Sequence, residues 1–154
     1  MTEYINGVKS GAGSQGSGNF FFLPQVPDTV GAGTFGITIS ANSNYQGLFR
    51  CTSANDGDNC TFNIGYFSAG TYTLEISYVT SNDKAKLDVF IDSDKVISAK
   101  DMYNGAVVYG ANHKETGITL TEGVKTLKLA LNGKNAASSG YAMDFNYIKL
   151  VRTA

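Results

Sequence analysis

No stretch of this sequence carries a convincing helical stripe, and no apolar run approaches the roughly 20 residues that a membrane-spanning helix needs. Basic residues are too few for nucleic acid: 12 Lys and Arg stand against 13 Asp and Glu, and none cluster into the stripe a phosphate backbone selects. A zinc site takes about four Cys or His ligands. The chain offers two Cys and one His, so zinc is excluded. Tryptophan is absent, which leaves nine Tyr and nine Phe as the large anchors. Catalytic signatures are missing too: there is no G-x-S-x-G, no Walker loop and no H-E-x-x-H. The lone His113 lies in a polar stretch with no nucleophile motif beside it. The chain reads as a non-enzyme.

What is present is alternation. In Gly70–Val79, Tyr72, Leu74, Ile76 and Tyr78 share one parity, and Thr71, Thr73, Glu75 and Ser77 take the other. A period of two is what a half-buried strand requires, because successive side chains leave opposite faces. It returns at Leu87/Val89/Ile91, Ile118/Leu120, Leu127/Leu129/Leu131 and Tyr141/Met143/Phe145. Further strands are expected at 35–40, 46–51, 60–66 and 95–99. At 154 residues the chain is one domain's worth. Short strands separated by turn residues specify an all-β, jelly-roll-type antiparallel β-sandwich. The last strand changes phase, since Ile148 and Leu150 oppose the parity of Tyr141–Phe145. Either a bulge lies near Asn146 or both faces are covered there.

Residues 1–34 differ from the rest and are expected to form an N-terminal arm ahead of a sandwich over 35–154. Ser10–Gly18 has linker composition, followed by the apolar plug Phe20, Phe21, Phe22 and Leu23. Holding such an arm in place must offset ~1 kcal/mol or more of backbone entropy per residue. Two arrangements supply the contacts: the plug anchors the arm on a neighbouring subunit, or it forms an edge strand of its own domain. The first ten residues lack the regions of a secretion signal. Either the chain does not use that route or a signal has been removed. Cys51 and Cys60 flank an eight-residue loop and are either reduced thiols or, in an oxidising compartment, a disulfide.

If consecutive strands run antiparallel, the short turns at 68–70, 92–95 and 122–123 share one end. The longer polar connections at 52–59, 81–85, 100–116 and 133–140 share the other, where binding residues usually sit. Among these loops Asn55–Asn59 reads as a polar turn or, less completely, as a calcium loop lacking its distal acid; no other cofactor is implied. Tyr103, Tyr109 and Tyr141 lie in or beside the same loops, with Asn104, Asn112, Asn132, Asn135 and Asn146 nearby. An aromatic face flanked by amides suits a sugar, whose C–H face stacks while its hydroxyls need donors and acceptors.

Ala69–Tyr78, Leu87–Asp92, Leu120–Leu129 and Met143–Leu150 resemble, in order and over about half the chain, the carbohydrate-binding modules of families 6 and 35. Those modules are galactose-binding-domain-like β-sandwiches. The resemblance implies a sugar site among the loops at one end, with an Asn of the last strand, here Asn146, at its base. Two functional expectations follow. One is a structural component of a larger assembly, such as a phage or viral virion surface. In it the arm would bind copies of the chain and neighbouring subunits, and the loops would face surface glycans. The other is an extracellular carbohydrate-binding module of a secreted polysaccharide-degrading enzyme.

Overall fold

The computed structural model describes residues 19–22, 27–38, 48–51 and 55–154. Their strands are β1 (Asn19–Phe22), β2 (Thr29–Ala32), β3 (Phe35–Thr38), β4 (Leu48–Cys51), β5 (Asn59–Phe67), β6 (Gly70–Thr80), β7 (Ala85–Ile91), β8 (Asp94–Asp101), β9 (Val108–Leu120), β10 (Gly123–Lys134) and β11 (Met143–Arg152). One sheet runs β3-β4-β11-β6-β9, and β1 also pairs with β11; the other runs β2-β5-β10-β7-β8. Every named pairing is antiparallel. The expected antiparallel sandwich is the fold.

The alternating residues fill the space between the sheets. Tyr72, Leu74 and Ile76 of β6 face Phe62, Leu87, Val89 and Leu129 of the opposite sheet in one core. Burying each large side chain contributes about 1.5–3 kcal/mol. Phe49 joins the sheets: its ring stacks on Phe35 and Phe145 and meets Phe62 edge-on at 5.2 Å. Two residues after Phe49 stands Cys51, and two before Phe62 stands Cys60, both buried free thiols.

The phase change in the last strand is a bulge. Phe145 pairs with Tyr78 and Tyr147 with Ser77, so Asn146 is the extra residue. Phe145 and Ile148 can thus both face the core although their parity differs.

Two expectations need revision. The polar segment 108–116 is not loop but the first part of β9, so the connection after β8 spans only 102–107. β9 is an edge strand bulged opposite Tyr72–Leu74 and Tyr78–Thr80, and its Gly110 and Gly117 both have φ +73°. Those bulges break the alternation, and the edge position leaves Asn112 and Lys114 in solvent. Thr29–Ala32 was not expected as a strand; all four residues are exposed and show no apolar pattern. Of the arm, β1 pairs Phe20 with Leu150 and Phe22 with Ile148, an edge position on the chain's own sheet. Residues 1–18 and Leu23 lie outside the described residues.

Candidate functional site

The two ends of the sandwich are built differently. At the short-turn end Asp92 N donates to Thr126 O at 2.9 Å, Lys125 Nζ meets Asp92 Oδ2 at 3.1 Å, and the Tyr72 hydroxyl donates to Ser68 O at 2.8 Å. The loops gather at the other end. Ala142 N donates to Asp83 O, Ser139 N to Asn82 O, Asn104 N to Ser81 O, and Met102 N to Ala85 O. Asn135 Nδ2 reaches Asp101 Oδ2 at 2.7 Å, and Gly133 N donates to Asp56 Oδ1. Connections 55–58, 81–84, 102–107 and 135–142, with the strand ends beside them, therefore form one crown.

Tyr103 and Tyr109 flank the crown end of β6. Ser81 bridges to Tyr103, and Thr80 pairs with Val108 beside Tyr109. Tyr103 is half-buried, while Val107, Val108 and Tyr109 are 59%, 42% and 37% exposed, an apolar run at the rim. Tyr141 stands differently. It packs against the core, and the Lys134 ammonium lies 4.9 Å from its ring centroid, covering one face. Asn146 is buried at the bulge, where its Oδ1 accepts from Ser77 Oγ at 3.4 Å and its Nδ2 has no partner. The structure thus brings Tyr103 and Tyr109 to one side of the crown and places Tyr141 and Asn146 on other neighbours. Three of the remaining amides are engaged internally: Asn112 with Glu75, Asn132 with Asp88 and Asn135 with Asp101.

Beside Ser81 and Tyr103 lies a charge network that single positions in the sequence do not reveal. Arg50 grips Asp144 through Nε and, at 3.1 Å, Nη2. Lys84 Nζ bridges Asp144 Oδ2 at 3.1 Å and Asp83 Oδ1 at 2.7 Å, and Ser81 Oγ donates to the same Asp83 oxygen. The centre is dry and the ends are wet: the Asp144 and Lys84 side chains are 1% and 4% exposed, those of Arg50 and Asp83 39% and 45%. The hydrogen bond to Asp144 raises the Arg50 pKa, and Asp83 and Tyr109 act on it at longer range. Burial alone would raise Asp83, but Lys84 and Ser81 outweigh it and hold the carboxyl below its usual value. The sequence signal was faint: Arg50 and Asp144 each interrupt a pair of core residues, as any outward strand position does.

A second polar group, on the outer face of the same sheet, satisfies itself. Glu75 Oε1 accepts from the Tyr147 hydroxyl at 2.6 Å and from Asn112 Nδ2 at 3.0 Å, while Lys114 and Lys149 stand 3.1 and 3.5 Å from Oε2. The Tyr147 hydrogen bond leads in holding this carboxyl at about 2; burial opposes it, and Asn112 and Lys114 reinforce it. His113 Nε2 lies 2.7 Å from Glu115 Oε1 on β9. In the 55–59 turn, Asp58 Oδ2 accepts from Asn55 N at 2.8 Å, so that carboxylate closes the turn itself. Among the described residues no three His, Cys, Asp or Glu side chains form a group able to hold a metal ion.

A family model described as carbohydrate binding module (family 6) matches residues 31–152. Among solved structures, the chain is similar to part of a Paenibacillus xanthan lyase, with TM-score 0.67 and 22% identity over 80% of this chain. It spans only 12% of that lyase's length. It is also similar to the C-terminal CBM6 of LamC, a marine laminarinase from Zobellia galactanivorans: TM-score 0.56 and 11% identity, covering 87% of this chain and 99% of that one. A module of Cellvibrio mixtus lichenase 5A in complex with cellotriose aligns at TM-score 0.56 and 14% identity, over 87% of this chain and 97% of that one. At such identities these likenesses show the fold. No curated protein sequence matches the chain.

Proposed function

The chain belongs to the family 6 carbohydrate-binding modules, and on that footing we propose that it binds a glycan at its crown, as a non-catalytic module of an extracellular polysaccharide-degrading enzyme. The observation that carries this reading is the exposed Val107–Tyr109 run beside Tyr103 at the one end where the loops converge. An apolar and aromatic rim next to fixed polar groups is what a sugar ring requires, one face stacked and its edges hydrogen-bonded. The similar structures named above support an enzyme module over a virion component, since each is part of a protein named for acting on a polysaccharide. The assembly reading drew on an arm whose residues 1–18 and Leu23 lie outside the described residues. The part that is described, β1, pairs within the chain.

Affinity electrophoresis through gels containing xanthan, laminarin, lichenan or xylan tests the proposal. At least one polysaccharide should retard the protein, and Tyr109→Ala should abolish most of the retardation without lowering Tm. Lys95→Ala, at the short-turn end, should migrate as the parent does. Retardation that survives Tyr103→Ala and Tyr109→Ala together would place binding elsewhere.

A further inference from the structure

The Lys84–Asp144 pair has a cost that the fold does not explain. Taking two opposite charges out of water commonly loses as much in hydration as their attraction returns, so well-packed apolar residues would serve the sandwich equally well. Such a pair is better understood by what it holds. Asp144 fixes the Nε–Nη2 side of Arg50, and Lys84 and Ser81 fix one oxygen of Asp83. The buried centre therefore orients two half-exposed groups, one a pure donor and one a pure acceptor. Arg50 Nη1 and Asp83 Oδ2 take no partner side chain among the described residues. Asp83 stands beside Tyr103 through Ser81, and Arg50 is tied to Asp83 through Asp144 and Lys84.

We infer that Arg50 and Asp83 are the polar contacts of the crown site and select an uncharged sugar with adjacent hydroxyls over an acidic one. This rests on the glycan reading above. A hydroxyl pair supplies an acceptor lone pair to the guanidinium and a proton to the carboxylate, matching both partners at once. A uronate gripped by Arg50 would bring its carboxylate against Asp83, where like charges repel. Because both groups are held before the ligand arrives, little side-chain entropy is lost on binding.

Isothermal titration of the full chain tests this with cellotriose, laminaritriose and xylotriose as neutral probes and trigalacturonate as the acidic one. At least one neutral trisaccharide should bind, with trigalacturonate weaker by about tenfold or more, the size expected for losing a hydrogen bond to a charged group. Asp83→Asn should weaken the neutral probe and shrink the discrimination against trigalacturonate, a change of preference that a purely structural role would not produce. Arg50→Lys keeps the charge but loses the fork, and should also weaken the neutral probe. If Arg50→Lys lowers Tm, the Asp83→Asn result decides, since that site is half-exposed. Trigalacturonate binding as tightly as the neutral probes overturns the inference. So does unchanged binding in both variants while Tyr109→Ala abolishes it, an outcome that leaves the crown reading standing. Silence across the whole panel overturns both.

Discussion

At the scale of single residues, burial decides which groups react and which only hold. Cys51 and Cys60 sit in the layer above the Phe49–Phe62 contact, and both are fully buried. Burial pushes the Cys51 thiol up to about 12 and raises Cys60 as well. The thiolate is the reactive form, so both thiols should resist a disulfide reagent at pH 8 in the native protein and titrate fully in denaturant. Rapid native labelling would mean that the 52–59 side of the core is open. Glu75 makes the opposite case. Its carboxyl is held at about 2 against an ordinary 4.5. A carboxylate depressed by folding stabilises the protein above its unfolded pKa, and that contribution fades as pH falls toward the folded value. Tyr147→Phe removes the leading hydrogen bond, so its stability deficit relative to the parent should be full near pH 6 and shrink between pH 4.5 and 2. A deficit independent of pH would show that the hydroxyl matters only for packing. Site residues were legible unevenly at this scale. Tyr109 showed itself as an aromatic in a polar stretch. Arg50 and Asp144 did not, because partners 94 positions apart meet only after the strands pair.

At the scale of elements, the sequence announced those strands whose core-facing side chains alternate regularly along their length. Gly70–Thr80 and Leu127–Leu131 keep their alternation because each is flanked by other strands and lined by the core. The bulge at Asn146 was legible as a break in parity, since a single extra residue inverts every side chain that follows. The first part of β9 escaped because bulges at its glycines and an open edge remove the apolar signal over 108–116. β2 escaped because it is exposed throughout. The role of β1 is open to a backbone measurement. It shares one edge of β11 with β4: β4 takes Met143–Phe145 and β1 takes Ile148–Val151, with β6 along the other edge. Removing residues 1–26 should leave a folded sandwich in which the β11 amides facing β1 exchange faster with deuterated solvent. The amides facing β6 should keep their protection. Unchanged exchange at Ile148–Val151 would contradict the β1 pairing.

At the scale of the whole molecule, the fold separates support from recognition. One end is closed by short turns tied with Asp92, Lys125 and Thr126; the other carries the loops, the apolar rim and the half-exposed ends of the Arg50–Asp83 network. Asp92→Ala should therefore lower Tm, since two hydrogen bonds and an ion pair close that turn, without changing affinity for any glycan. The strand parity read from the sequence located the crown, because antiparallel strands send alternate connections to opposite ends. It could not show contacts made across the fold, such as Lys134 over Tyr141. The most direct measurement of the central claim is an amide-resolved NMR titration with the neutral oligosaccharide that binds best. Binding at the crown predicts shifts concentrated in 81–84 and 103–109, with the 92–95 turn and the outer face around Glu75 and Tyr147 silent. Shifts centred on the turns or on that outer face, with 103–109 unmoved, would contradict it.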